Sequence, residues 1–263
     1  DDLNIPNTEA FRSLRTKIQF FTKEVKSPVI LVTSSMSGEG KTSVSTNLAF
    51  VYSLLQENTL LVDFDLRVGE IHSIFDLEND TGISTWLIGK DKLEDVIKKT
   101  KYSNLDVLPS GPVPPNPAEL ASFSKTRDLL KILKKRYDYI VIDTPPIGLF
   151  SEAFHIASIS DANLLVVRQN RTIKDSLSNT LNDIRNSEID SISIVFNGEI
   201  YNYIELRNEL VKRYSLSFRT ESDTEVLLQA LIANGQRCLD NCEGMWAFAY
   251  YDEETEELLL SRD

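Results

Sequence analysis

The chain has 263 residues, 41% hydrophobic and 26% charged, enough for one large α/β domain or one domain with a small appendage. A net charge of −12 excludes the basic footprint of a nucleic-acid binder, and two cysteines are too few for a disulfide framework. No apolar run approaches the roughly 18–20 residues of a membrane span.

The start, Asp1-Asp2-Leu3-Asn4, is neither a signal peptide nor an initiator, which fits an excised piece of a longer protein. Residues 8–22 repeat at helical spacing. Phe11, Leu14, Ile18 and Phe21 are predicted on the buried side, with Glu9, Arg12 and Arg15 three apart on a neighbouring face. The apolar run Val29-Ile30-Leu31-Val32 then enters Thr33-Ser34-Ser35-Met36-Ser37-Gly38-Glu39-Gly40-Lys41-Thr42. This is a strand running into a phosphate-binding loop. Gly38 and Gly40 let backbone N–H groups turn toward phosphate oxygens, Lys41 adds positive charge for the β- and γ-phosphates, and the Thr42 hydroxyl suits Mg²⁺. Ser35 replaces the first glycine of the usual pattern. Val44, Leu48, Val51 and Leu55 predict the helix that the loop must open.

Leu60-Leu61-Val62-Asp63-Phe64-Asp65 reads as a buried parallel strand delivering carboxylates to the carboxyl edge of a sheet. A short helix is predicted over 92–99 and a strand over 105–108. The Pro-rich loop 109–117 ends in a helix start, with Asn116 as cap and Pro117 in the first turn. Leu120, Phe123, Leu130 and Leu133 mark that helix's core face. Tyr139–Asp143 is another strand ending in an acid, 162–167 a further strand, 173–186 a helix and 191–196 a last strand. Such alternation predicts a doubly wound, mostly parallel α/β sheet of P-loop type with helices on both faces. A small α+β appendage follows. Tyr203, Leu206 and Leu210, then Val226, Leu227 and Leu231, predict two amphipathic helices, and 245–251 with 257–260 a hairpin. Residues 194–263 carry a net charge of −8, and Cys238 and Cys242 are expected as buried small apolar residues.

Three strand-end acids beside a phosphate loop make a hydrolase or transferase kit. Asp143 would bind Mg²⁺. Asp63 and Asp65, two apart on an extended segment, share a face: one would complete the metal shell and the other would take a proton from an incoming hydroxyl. The plain alternative for both is loop capping or a salt bridge with Arg67.

Residues 9–196 resemble the kinase domain of the bacterial P-loop tyrosine kinases that govern capsule and exopolysaccharide synthesis. The resemblance rests on 37–42, Leu-Val-Asp-Phe-Asp-Leu-Arg (61–67), Val-Ile-Asp-Thr-Pro-Pro (141–146), the loop 108–117 and Glu-Ala-Phe-Arg-Ser-Leu-Arg (9–15). Met36 stands where cell-division and partition ATPases carry lysine, which favours the kinase branch. The resemblance implies ATP and Mg²⁺ as cofactors. It implies nucleotide contacts from Ser37, Gly38, Glu39, Gly40, Lys41, Thr42, Ser43 and Asn197. Metal-holding falls to Thr42, Asp63 and Asp143, and catalysis to Lys41, Asp63 and Asp65. It further implies a ring-shaped homo-oligomer through Glu9, Arg12 and Arg15, and a membrane-spanning activator, fused or separate. The expected location is cytoplasmic, at the inner face of the membrane. The family's tail is rich in tyrosines phosphorylated by a neighbouring subunit; no such cluster occurs here, where the paired tyrosines are Tyr201/Tyr203 and Tyr250/Tyr251.

Residues 195–263 resemble an internal stretch of the class II glutamine amidotransferase domain of asparagine synthetases, through 196–203, 205–210, 222–225, 244–249 and 260–263. That resemblance implies an oxyanion hole at Asn197 and Gly198 and an amino-group ligand at Asp223. The family's nucleophile is an N-terminal cysteine whose own amine is the base; Asp1 stands first here. The expected organisation is therefore an ATP-dependent tyrosine-kinase-like domain over 1–194 and a glutaminase-like segment without activity over 195–263. An ATP-switched assembly module without phosphotransfer, and an amidotransferase fusion, are the alternative readings.

Overall fold

The computed structural model describes residues 8–120, 123–168, 171–187, 189, 192–197, 199–200, 203–218, 223–234, 238, 244–245, 247–252 and 257–262. The chain divides into two compact units, 1–166 with 172–195, and 167–171 with 196–263.

The elements in chain order are α1 (Thr8–Phe21), β1 (Val29–Ser34), α2 (Lys41–Ser53), β2 (Thr59–Asp63), α3 (Ile71–Ile74), α4 (Ile83–Leu87), α5 (Leu93–Val96), β3 (Lys98–Lys99) and β4 (Leu105–Leu108). They continue with α6 (Pro117–Leu120), α7 (Phe123–Leu133), β5 (Tyr139–Asp143), α8 (Ser151–Ala157), β6 (Ala162–Arg168), α9 (Lys174–Arg185) and β7 (Ser193–Asn197). The seven strands form one sheet of order β3-β4-β2-β5-β1-β6-β7. β4, β2, β5, β1 and β6 run parallel, and β3 closes one edge antiparallel to β4.

β1 and β2 are buried at every position, as near-continuous apolar runs must be when helices cover both faces of a sheet. α2 packs Val44, Leu48, Ala49 and Val51 against Ile30, Val32, Leu61 and Val141. Tyr52 stacks on Tyr139 at 4.2 Å between ring centres. Phe11, Leu14 and Ile18 of α1 pack on the same core, but Phe21 is 73% exposed, contrary to the expected face. The helix ends there, and Thr22 takes the next inward position instead, its hydroxyl bonded to the Ile18 carbonyl.

The helix expected over 92–99 is confined to α5, because Lys98 and Lys99 pair with Val107 and Asp106 as an edge strand. Asn116 accepts the Leu120 N–H through its carbonyl, while its side-chain amide donates to Glu119 Oε2. Leu130 and Leu133 are buried and Leu120 is half-buried. The Phe123 side chain lies outside the described residues. Helices α3, α4 and α8 had no clear sequence signal, since each is seven residues or shorter.

The second unit contains β8 (Glu199–Ile200), α10 (Tyr203–Tyr214), α11 (Asp223–Asn234), β9 (Gly244–Met245), β10 (Ala247–Asp252) and β11 (Glu257–Arg262). Leu206 and Leu210 meet Val226, Leu227, Ala230, Leu231 and Cys238 in a small core. β10 and β11 form the hairpin, and Gly244–Met245 pairs with β8 rather than extending it.

Candidate functional site

Strand order builds the site. β5 lies between β1 and β2, so the ends of three strands distant in sequence become neighbours. Asp143 pairs in register with Val32 on one side and with Asp63 on the other. The Phe64 N–H continues the ladder onto the Asp143 carbonyl at 2.8 Å, and the Thr144 N–H onto Val32 at 3.1 Å. This is the carboxyl-edge crevice where open α/β sheets bind ligands.

The loop after β1 supplies the other wall. Gly38 and Gly40 hold φ of 82° and 94°, a left-handed conformation that side chains resist, so the chain curls there before α2 begins. Gly40 caps α2 without a side-chain acceptor, and no acid sits in the first turn. The helix therefore starts as a positive, anion-receptive end. Lys41, in that first turn, is only 8% exposed. Thr42 donates its hydroxyl to Asp143 Oδ2 at 2.8 Å, which joins the phosphate loop to the second strand-end acid. At Gly148 a Cβ would lie 2.5 Å from the Ser35 carbonyl, so glycine lets the connection after β5 press on the loop.

Glu39 does not face outward. It is fully buried, with Oε2 accepting the Met36 N–H at 2.7 Å and Oε1 accepting the Thr172 hydroxyl. Its carboxylate braces the loop from beneath, against the start of α9. Ser37 and Ser43 are exposed on the loop and first turn.

Burial pushes the Asp143 carboxyl up to about 7, against the opposing pull of the Thr42 hydroxyl and the Lys41 charge. Asp63, with no exposed surface, is raised well above the carboxylate range by burial first and by Asp143 next. Its Oδ2 accepts the Ile71 N–H at 3.2 Å. Asp63 Oδ1 and Asp143 Oδ1 are both buried without a hydrogen-bond partner, a costly arrangement that a cation would relieve. The donors are hard oxygens, the class Mg²⁺ selects. Among the described residues no group of three or more His, Cys, Asp or Glu forms a complete metal cage. Mg²⁺ needs none, since it keeps waters and substrate phosphates in its shell.

Asp65 is half-buried and its Oδ1 accepts the N–H groups of Arg67 and Val68 at 3.2 and 3.1 Å. The capping alternative thus holds for one oxygen of Asp65. The salt-bridge alternative does not: Arg67 pairs with Glu152 at 2.9 Å. Glu152 and Thr172 escaped the sequence reading, since neither belongs to a motif and only the fold brings them to this edge.

Arg12 is exposed on α1, but Arg15 is half-buried and donates to the Val51 carbonyl at 2.6 Å, within its own chain. The Glu9 side chain lies outside the described residues. Asn197 ends β7. The side chains of Asn197 and Asp223 lie outside the described residues, as do Gly198 and Cys242. Cys238 is 3% exposed among the α10 and α11 leucines. No helix among the described residues is long and apolar enough to cross a membrane.

Comparison with known proteins gives two family matches. The AAA domain profile matches residues 27–194, and the glutamine amidotransferase domain profile matches residues 161–263. Tyrosine-protein kinase YwqD of Bacillus subtilis (strain 168) is 33% identical over 193 residues, covering 73% of this chain and 81% of that protein. CapB of Staphylococcus aureus is 39% identical over 170 residues, covering 65% of this chain and 75% of that protein. The solved kinase domain of Escherichia coli tyrosine kinase ETK superimposes with a TM-score of 0.69 at 31% identity, covering 80% of this chain and 78% of that one.

Proposed function

The chain belongs to the bacterial tyrosine-protein kinases, and we propose that its P-loop domain binds ATP with Mg²⁺ and transfers the γ-phosphoryl group to a tyrosine hydroxyl. The observation that carries this reading is the Thr42–Asp143 hydrogen bond, with Asp63 in register beside it. The first-turn N–H groups of α2 and the loop amides would hold the phosphates. Lys41 would offset charge on the transferred group. Thr42, Asp143 and Asp63 would hold Mg²⁺, which supplies charge neutralisation at the phosphates when bound. Asp63 has no exposed surface for an incoming phenol, so Asp65, half-buried and fixed by its turn, is the better proton acceptor. Glu39 acts as a brace rather than a nucleotide contact. We place the functional boundary at 194/195.

The test is phosphotyrosine formation on a tyrosine-rich peptide with ATP and Mg²⁺. A domain that binds ATP but forms none would be an assembly module only. The polysaccharide system, the membrane-spanning activator and a place at the inner face of the membrane belong to the same proposal. Copurification with a membrane fraction only when the activator is coexpressed would support them.

Assembly into a homo-oligomer is proposed through Arg12, with Arg15 supporting the helix. Arg12→Ala is expected to lower the oligomer population in light scattering. Arg15→Ala loses the Val51 contact and should cost about 1–2 kcal/mol of stability. An unchanged mass distribution for Arg12→Ala removes that face from the interface.

The amidotransferase-like segment should release no ammonia from glutamine above background. An oxyanion hole without a nucleophile gives little turnover, and Cys238 is buried in an apolar core. Ammonia release that disappears on Cys238→Ser or Cys242→Ser would reverse this reading.

A further inference from the structure

Glu152, in the first turn of α8, leaves only 4% of its side chain exposed. A buried carboxylate is costly unless a cation or several donors hold it. Arg67 Nε donates to Glu152 Oε1 at 2.9 Å, and the guanidinium carbon stands 4.3 Å from the centre of the Phe150 ring. Asp65 Oδ1 pins the base of the same arm by accepting the Arg67 and Val68 N–H groups. The contacts run unbroken from Asp65 through Arg67 to Phe150 and Glu152. Their two ends are the connections that follow β2 and β5, whose last residues are Asp63 and Asp143.

We propose that Arg67 is a positioning residue: with Glu152 and Phe150 it locks the Asp65-bearing connection to α8, so that Asp65 keeps a fixed place relative to Asp143. The catalytic consequence rests on the kinase reading above; the mechanical tie does not. Arginine suits the task because its planar guanidinium donates in plane to a carboxylate while presenting its face to a ring. A lysine ammonium is a point charge and cannot do both in one fixed geometry. The precision matters, because a displacement of about 1 Å at a reacting group can cost ~100-fold in rate.

The test uses Arg67→Lys, Glu152→Gln and the double variant. Each single change is expected to lower kcat about ten- to hundredfold while KM and Kd for ATP stay within about twofold, and the double variant should be no worse than the poorer single. Additive losses, an equal loss of ATP affinity, or an unchanged kcat would overturn the proposal. Amide hydrogen exchange on the nucleotide-free protein reads the tie without catalysis. Glu152→Gln should speed exchange at residues 66–70, although the substitution lies on α8. Unchanged exchange there overturns the tie whatever the kinetics. Faster exchange in Glu152→Gln than in wild type, where wild type itself forms no phosphotyrosine, would support the tie and sink the kinase reading.

Discussion

Lys41→Met is expected to lower Mg²⁺-dependent ATP affinity at least a hundredfold. Lys41 stands in the first turn of α2, whose cap offers no side-chain acceptor, so its charge and the turn's N–H groups converge on one anion-binding end. A unit charge about 4 Å from a phosphate in surroundings of intermediate dielectric is worth about 4 kcal/mol, or close to a thousandfold. Methionine keeps most of the buried stem, so the fold should survive the change. Removing the ammonium also removes a charge that favours ionised Asp143, which weakens the metal side of the same site. Titration calorimetry with ATP and Mg²⁺, alongside a circular-dichroism melt, checks both halves. Wild-type affinity in a folded Lys41→Met protein would refute the phosphate-loop assignment.

The individual strands of this site were legible because apolar runs ending in Asp63 and Asp143 are distinctive in any context. The order of those strands was not. Nothing in residues 59–63 or 139–143 states that β5 inserts between β1 and β2, yet that insertion brings Thr42 onto Asp143 and Asp63 beside it. The expectation that the acids meet came from their place at strand ends on the carboxyl edge beside a phosphate loop, which leaves open which strands are neighbours. The inward turn of Glu39 was hidden for a related reason: a glutamate within a phosphate loop reads as a ligand contact until the position of Thr172 is known. Arg15 illustrates the limit of face analysis. Its spacing with Arg12 is that of a shared surface, but one side chain reaches back to Val51 and the other stays exposed. Short elements such as α3 and α4 carry too few residues for a periodic signal, so the segment between β2 and β4 was the least readable part of the sheet domain.

Asp143→Asn should abolish phosphotransfer and, in the nucleotide-free protein, raise stability at neutral pH. The loss of activity is expected to be at least a hundredfold, since the change removes both the charge that holds Mg²⁺ and half of the buried pair with Asp63. The gain in stability follows from the raised carboxyl. The folded state holds the Asp143 proton up to about pH 7, whereas an unfolded chain releases it near the ordinary value of 3.8. Between those values the folded state binds more protons than the unfolded one, so this group makes stability fall as pH rises from about 4 to about 7. Asparagine lacks that penalty. The melting temperature of the variant should match wild type near pH 4 and exceed it by about 3–8 °C at pH 8. The same linkage acts on ligand binding: because Mg²⁺ needs the ionised carboxylate, wild-type affinity for ATP with Mg²⁺ should weaken by up to about tenfold per pH unit below 7. Scanning calorimetry across pH, paired with calorimetric titrations, reads both effects. A variant no more stable than wild type at pH 8, together with ATP affinity that ignores pH between 5.5 and 7.5, would mean that Asp143 is already ionised in the folded protein and pays no burial penalty there.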